Sequence, residues 1–190
     1  MEIAKAGGVD IVFFGDSITD YWRLPVNKVV WDKYFAPLKA ANFGIAGDIT
    51  RNVLWRVQNG ELDGIHPKLV VLLIGTNNVN NGPVSMAASI KEIIDAIQAK
   101  APGTRILLLG IFPRGGFADR ITAANKTLAT YAFPDDPKRV VYMDIGEKFL
   151  NADKTINQEL MPGTLHLNAK GFEVWAEAII DTVKKQLGNR

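Results

Sequence analysis

The chain has 190 residues, 47% hydrophobic and 22% charged, which suits one soluble globular domain over 1–190 with a sizeable core. A formal net charge of only +2, with Lys and Arg spread along the chain, argues against nucleic-acid or membrane-surface partners. The absence of cysteine excludes disulfides, thiol nucleophiles and cysteine metal sites, and no apolar run reaches the ~18 residues of a membrane span.

Residues 1–10 (MEIAKAGGVD) carry too short an apolar run for a signal peptide. Compartment stays open between cytoplasm and secretion, since a leader upstream of this chain is compatible with it. The first strand is expected over 10–14 and runs into Gly15-Asp16-Ser17-Ile18-Thr19. A second strand is expected over 41–45, leading into Gly44-Ile45-Ala46-Gly47-Asp48, and a short helix over 51–58. The third strand, 69–74, reads LVVLLI and is apolar throughout, as a strand covered on both faces should be. It is followed by Gly75-Thr76-Asn77-Asn78.

After the Gly82-Pro83 break, residues 86–100 place Ile90, Ile93, Ile94 and Ile97 at helical spacing on one face. A fourth strand over 105–110 leads to Pro113-Arg114-Gly115-Gly116, and a helix is expected over 118–132. The fifth strand, 139–144, precedes a long segment ending in Met161-Pro162-Gly163-Thr164-Leu165-His166. Residues 169–187 close the chain as a helix with Phe172, Trp175, Ala176, Ile179, Ile180 and Val183 on one face. Strands alternating with helices predict a parallel sheet inside a three-layer α/β/α sandwich.

In such a sheet, ligands bind outside the carboxyl ends of the strands. The segments that follow the strands here are rich in small, polar and hydroxyl residues. Ser17 at a strand-to-helix turn presents a hydroxyl and a backbone N–H where negative charge is stabilised. Gly47 lets a backbone N–H approach an oxyanion, and Asn77 adds a side-chain donor. Taken singly, each has an ordinary structural use, Ser17 as a helix cap and Gly47 and Asn77 as turn residues. It is their combination at successive strand ends that points to acyl transfer.

The two histidines divide cleanly. His66 precedes Pro67 and the third strand, so it sits at the amino end of the sheet as a surface loop residue. His166 follows the fifth strand, on the edge shared with Ser17, and can take the serine proton.

Gly15-Asp16-Ser17-Ile18, Gly47, Gly75-Thr76-Asn77 and His166 resemble, in order and spacing, the blocks of the GDSL/SGNH hydrolase superfamily. The stretches NFGIAGDITRNVLWRVQNGELDGIHPKLVVLLIGTNN and LLLGIFPRG resemble the platelet-activating-factor acetylhydrolase Ib catalytic subunits and their bacterial esterase relatives. The resemblance implies a flavodoxin-like five-stranded sheet of order 2-1-3-4-5, with no metal or cofactor. It implies ester hydrolysis of short acyl groups, acetyl above all, through Ser17 and His166. It implies an oxyanion hole made by the N–H groups of Ser17 and Gly47 and the amide of Asn77. It also implies a homodimer as an option, and a small ester or acetylated carbohydrate as the partner molecule.

One position departs from the family pattern. The family carries an Asp three residues before the histidine, where this chain has Gly163. Asp153 and Glu159 lie upstream, and a backbone carbonyl or a water are further ways to hold the ring.

Rival readings fare less well. Neither GxGxxG nor GxxxxGK[ST] occurs, which disfavours nucleotide binding. A phosphate-accepting receiver domain needs an Asp where Asn77 stands. The serious alternative is a catalytically weak or inactive binding protein for acetylated carbohydrate, because Gly163 removes one member of the usual triad.

Overall fold

The structure is a computed structural model and describes residues 8–131 and 139–188. Five parallel strands form one sheet: β1 (Ile11–Gly15), β2 (Ala40–Asn42), β3 (Leu69–Leu73), β4 (Arg105–Leu109) and β5 (Val140–Met143). Their order is β2-β1-β3-β4-β5, the order that the resemblance implied. Ile11 is in register with both Ala40 and Leu69, and Leu69 with Arg105.

Helices cover both faces, so every residue of β1 and β3 is buried. Alternate side chains of each strand face opposite ways. Val12, Phe14, Val70, Leu72, Ile106 and Leu108 meet α3 (Thr50–Gln58), α4 (Pro83–Lys100) and α5 (Ala118–Ala129). Ile11, Phe13, Val71, Leu73, Leu107 and Leu109 meet α2 (Pro25–Tyr34) and α6 (Ala169–Gly188). This is the three-layer α/β/α arrangement expected from the alternation of elements.

The α4 stripe of Ile90, Ile93, Ile94 and Ile97 is fully buried. Each such side chain contributes about 1.5–3 kcal/mol of burial. The other face is aromatic. Trp22 packs 4.5 Å from Phe172 and 5.0 Å from Trp175, centroid to centroid. Trp22 directly follows Tyr21, so this cluster anchors the segment just after Ser17.

Several boundaries differ from expectation for local reasons. β2 ends at Asn42 rather than continuing to 45, because the Asn42 side-chain oxygen accepts the Gly44 N–H at 2.8 Å and turns the chain. α4 begins three residues earlier than its apolar stripe, with Pro83 at the first helical position, where no N–H is needed. α5 ends at Ala129, and residue 132 of the expected helix lies outside the described residues.

α2 was not expected at all. Val26 and Val29 are 66% and 70% exposed while Asn27 and Trp31 are buried, so its apolar residues form no single stripe. Among the described residues, no helix is long and apolar enough to cross a membrane.

Candidate active site

β1 delivers the chain to a sharp turn. A Cβ on Gly15 would lie 2.1 Å from Thr19 Oγ1 and 2.4 Å from the Leu73 carbonyl oxygen, so no side chain fits there. Asp16 then caps a four-residue helix, α1 (Ser17–Asp20 in chain order), by accepting the Ile18 N–H at 2.9 Å. Ser17 is the first helical residue, where the backbone N–H has no partner within the helix.

The Ser17 hydroxyl lies 2.9 Å from His166 Nε2. His166 is half-buried and comes from the loop between β5 and α6. That loop is tied to the β4 loop by the Gly115 N–H, which donates to the Thr164 carbonyl at 3.0 Å. Burial first, and then the Arg114 charge, hold the imidazole pKa below its ordinary 6.5. A neutral ring with its proton on Nδ1 leaves Nε2 free to accept from Ser17.

Gly47 has φ +85°, a left-handed conformation, and its N–H has no partner among the described residues. Asn77 stands on a turn after β3, and one of its amide protons goes to the Asp48 carbonyl at 2.9 Å. The other amide proton is free for a ligand. Asn78 receives the Thr50 N–H at 3.0 Å, so the β2 and β3 loops are joined twice.

The β2 loop is also fastened to the Ser17 turn. The Ile45 N–H donates to the Gly15 carbonyl at 3.2 Å, and the Ala46 N–H to the Asp20 carboxylate at 3.2 Å. The segments carrying Ser17, Gly47, Asn77 and His166 thus converge at the carboxyl edge of the sheet. His66 is exposed just before β3, at the opposite edge.

Position 163 has its own geometry. Gly163 lies in a turn (Pro162–Thr164) at φ +72°, is exposed, and a Cβ there would meet nothing within 4 Å. Among the described residues, His166 Nδ1 has no hydrogen-bond partner. Asp153 binds the Thr155 N–H and hydroxyl instead, at 3.0 and 2.6 Å. Glu159 is exposed, and its backbone carbonyl receives the Asn168 side chain. Neither acid pairs with His166.

Four further residues shape the site. Asp16 is 1% exposed, and burial pushes its carboxyl up to about 7, with the nearby Asp48 charge adding to the effect. Arg56 reaches the Asp48 carboxylate at 2.7 Å and the Phe43 carbonyl at 3.0 Å, bracing the Gly47 loop from below. Arg114 donates to the Thr76 carbonyl at 2.5 Å, next to Asn77. Tyr21 packs its ring 4.8 Å from the His166 ring. Of these, only Asp16 had a signal in the sequence, an N-cap residue type at a strand-to-helix boundary. Among the described residues, no group of His, Asp or Glu is arranged to hold a metal ion.

The GDSL-like Lipase/Acylhydrolase family model matches residues 13–174. The chain is similar to platelet-activating factor acetylhydrolase IB subunit alpha1 of Bos taurus, 36% identical over 166 residues. That match covers 86% of this chain and 70% of the bovine one. Subunit alpha2 of Rattus norvegicus is 37% identical over 165 residues, covering 86% of this chain and 71% of its own. Among solved structures, a lipolytic protein of the G-D-S-L family from Veillonella parvula superposes with a TM-score of 0.75 at 17% identity. It covers 94% of this chain and 100% of its own. A catalytic mutant of an acetylxylan esterase from Geobacillus stearothermophilus gives 0.70 at 18% identity and 97% coverage of both chains. These two structural likenesses show a shared fold.

Proposed function

Because the chain belongs to the GDSL-like lipase/acylhydrolase family and is a carboxylic-ester hydrolase, we propose that it removes short acyl groups, acetyl above all, with Ser17 as nucleophile and His166 as base. The observation that carries this reading is the 2.9 Å contact between Ser17 Oγ and His166 Nε2 at the carboxyl edge of the sheet.

In the proposed cycle, Ser17 Oγ attacks the ester carbonyl carbon as His166 Nε2 takes the hydroxyl proton. The carbonyl oxygen becomes an oxyanion, which accepts hydrogen bonds from the N–H groups of Ser17 and Gly47 and the free amide proton of Asn77. The intermediate collapses, and the alcohol leaves with the proton returned by His166. Water then attacks the acyl-Ser17 ester, giving its proton to His166. The carboxylic acid departs and Ser17 is restored. A positioned base is worth about 10²–10⁴ in rate, and each oxyanion donor about 10²–10³.

Gly163 occupies the position where the family resemblance calls for the acid that orients the imidazole. In a serine protease, neutralising that acid costs about 10⁴ in turnover. The same gap underlies the second reading, a weak or inactive binder of acetylated carbohydrate. The unpartnered Nδ1 favours reduced activity rather than none, because Nε2 already faces Ser17. The similarity to acetylhydrolase subunits supports a small acyl group. The connections at the catalytic edge are short, which supports a shallow acyl pocket.

The test is a hydrolysis screen over p-nitrophenyl esters from two to twelve carbons, together with acetylated sugars. Acetyl and butyryl esters should be turned over fastest. Preference for ten carbons or more contradicts the acyl assignment, and rates equal to those of Ser17→Ala on every ester favour the binding protein.

A further inference from the structure

His166 lacks what a base of this kind usually needs. Among the described residues, its Nδ1 bonds to nothing, and the one charge that acts on its titration is the cation of Arg114. The imidazolium that forms as Ser17 attacks therefore has a positive neighbour and no carboxylate. Two contacts remain to hold the ring: the Ser17 hydroxyl on one side and the Tyr21 ring at 4.8 Å, tilted by 39°.

Tyr21 is itself firmly placed. Its N–H donates to the carbonyls of Ser17 and Thr19. Its carbonyl accepts the Asn27 amide at 2.9 Å, and Asn27 is 2% exposed. Trp22, the next residue, is 1% exposed within the aromatic cluster. The ring that touches His166 is therefore mounted on the same short segment as the nucleophile. An aromatic face attracts a cation at this range and is close to indifferent to the neutral ring. A contact that strengthens only when the imidazole gains its proton lowers the barrier rather than tightening substrate binding.

We propose that Tyr21 is the positioning residue for His166, fixing the ring by its aromatic face and stabilising the imidazolium where no carboxylate does so. This rests on the reading of Ser17 and His166 given above.

The experiment compares Tyr21→Phe and Tyr21→Leu with the wild type, after thermal melts establish that both fold. With p-nitrophenyl acetate, Tyr21→Leu should lower kcat about three- to tenfold with KM nearly unchanged, while Tyr21→Phe keeps it. The His166 ring protons are then titrated by NMR, with His66 replaced by Asn so that one histidine remains. The His166 pKa should fall in Tyr21→Leu and hold in Tyr21→Phe. The titration needs no turnover, so it tests the contact even if the esterase reading fails. An unchanged His166 pKa in a folded Tyr21→Leu overturns the proposal. So does a Tyr21→Phe variant that behaves like Tyr21→Leu, since the phenol oxygen and not the ring would then be responsible.

Discussion

Ser17 and His166, 149 residues apart in the sequence, meet at 2.9 Å between hydroxyl and imidazole. The contact joins the first strand's turn to the last loop before the C-terminal helix. Within the proposed mechanism it moves the proton in both half-reactions.

The Ser17 hydroxyl bonds to His166 alone among the described residues, so its loss should cost about 0.5–1.5 kcal/mol of stability at most. Ser17→Ala should abolish ester hydrolysis while its melting curve stays close to that of the wild type. Residual turnover near the wild-type rate would remove Ser17 from the chemistry.

Asn77 has two duties in this geometry. Its amide holds the Asp48 carbonyl at 2.9 Å and, in the proposed cycle, binds the oxyanion. Asn77→Ala should therefore cut kcat by about 10²–10³ and also loosen the Gly47 loop by about 1 kcal/mol. Steady-state kinetics and a urea melt separate the two effects. Full turnover in the variant would place the oxyanion elsewhere.

Asp16 gives a stability signature. Its ordinary pKa of 3.8 rises to about 7 in the folded chain, mainly through burial. Between those values the unfolded chain has released a proton that the folded chain keeps. Rising pH therefore destabilises the fold across this window, by up to about 1.4 kcal/mol per pH unit, and the loss levels off above the folded pKa. Asp16→Asn can still accept the Ile18 N–H and should lack this slope. Urea midpoints from pH 4 to 8 measure it, and equal slopes in the two proteins would mean that Asp16 ionises normally.

Arg114 should set the lower pH limit of activity. Its charge, after burial, depresses the His166 pKa, so the base stays neutral further into acid. Arg114→Gln should raise that pKa and move the acid limb of the kcat/KM profile to higher pH. A limb that stays put, or moves down, contradicts this.

Gly163→Asp probes the empty acid position. The backbone there is left-handed at φ +72°, so Asp should cost about 1 kcal/mol of stability, although the space for its Cβ is open. The added carboxylate should raise kcat for acetyl esters with little change in KM. If the variant is no faster at any pH, the ring needs no acid from that position.

The sheet order and the four loops of the candidate site were legible because they rest on local patterns. Apolar runs such as LVVLLI, glycine at strand ends and the family motifs all repeat known chemistry. α2 was not legible, because Val26 and Val29 point outward and blur the helical period. The contact of Tyr21 with His166 depends on where two loops meet in space, and no periodicity encodes it. Nor could the sequence show that Asp16 is buried beside Asp48, the arrangement that raises its pKa. The bracing of Asp48 by Arg56 was hidden for the same reason.

The most direct measurement is covalent labelling of the native chain with a fluorophosphonate, read by intact mass and by peptide mapping. An activated serine attacks phosphorus and expels fluoride, leaving a stable adduct. The account predicts one adduct, on the peptide carrying Ser17, absent from Ser17→Ala and strongly slowed in His166→Ala. No adduct on a folded wild-type chain, or an adduct that persists in Ser17→Ala, would contradict it.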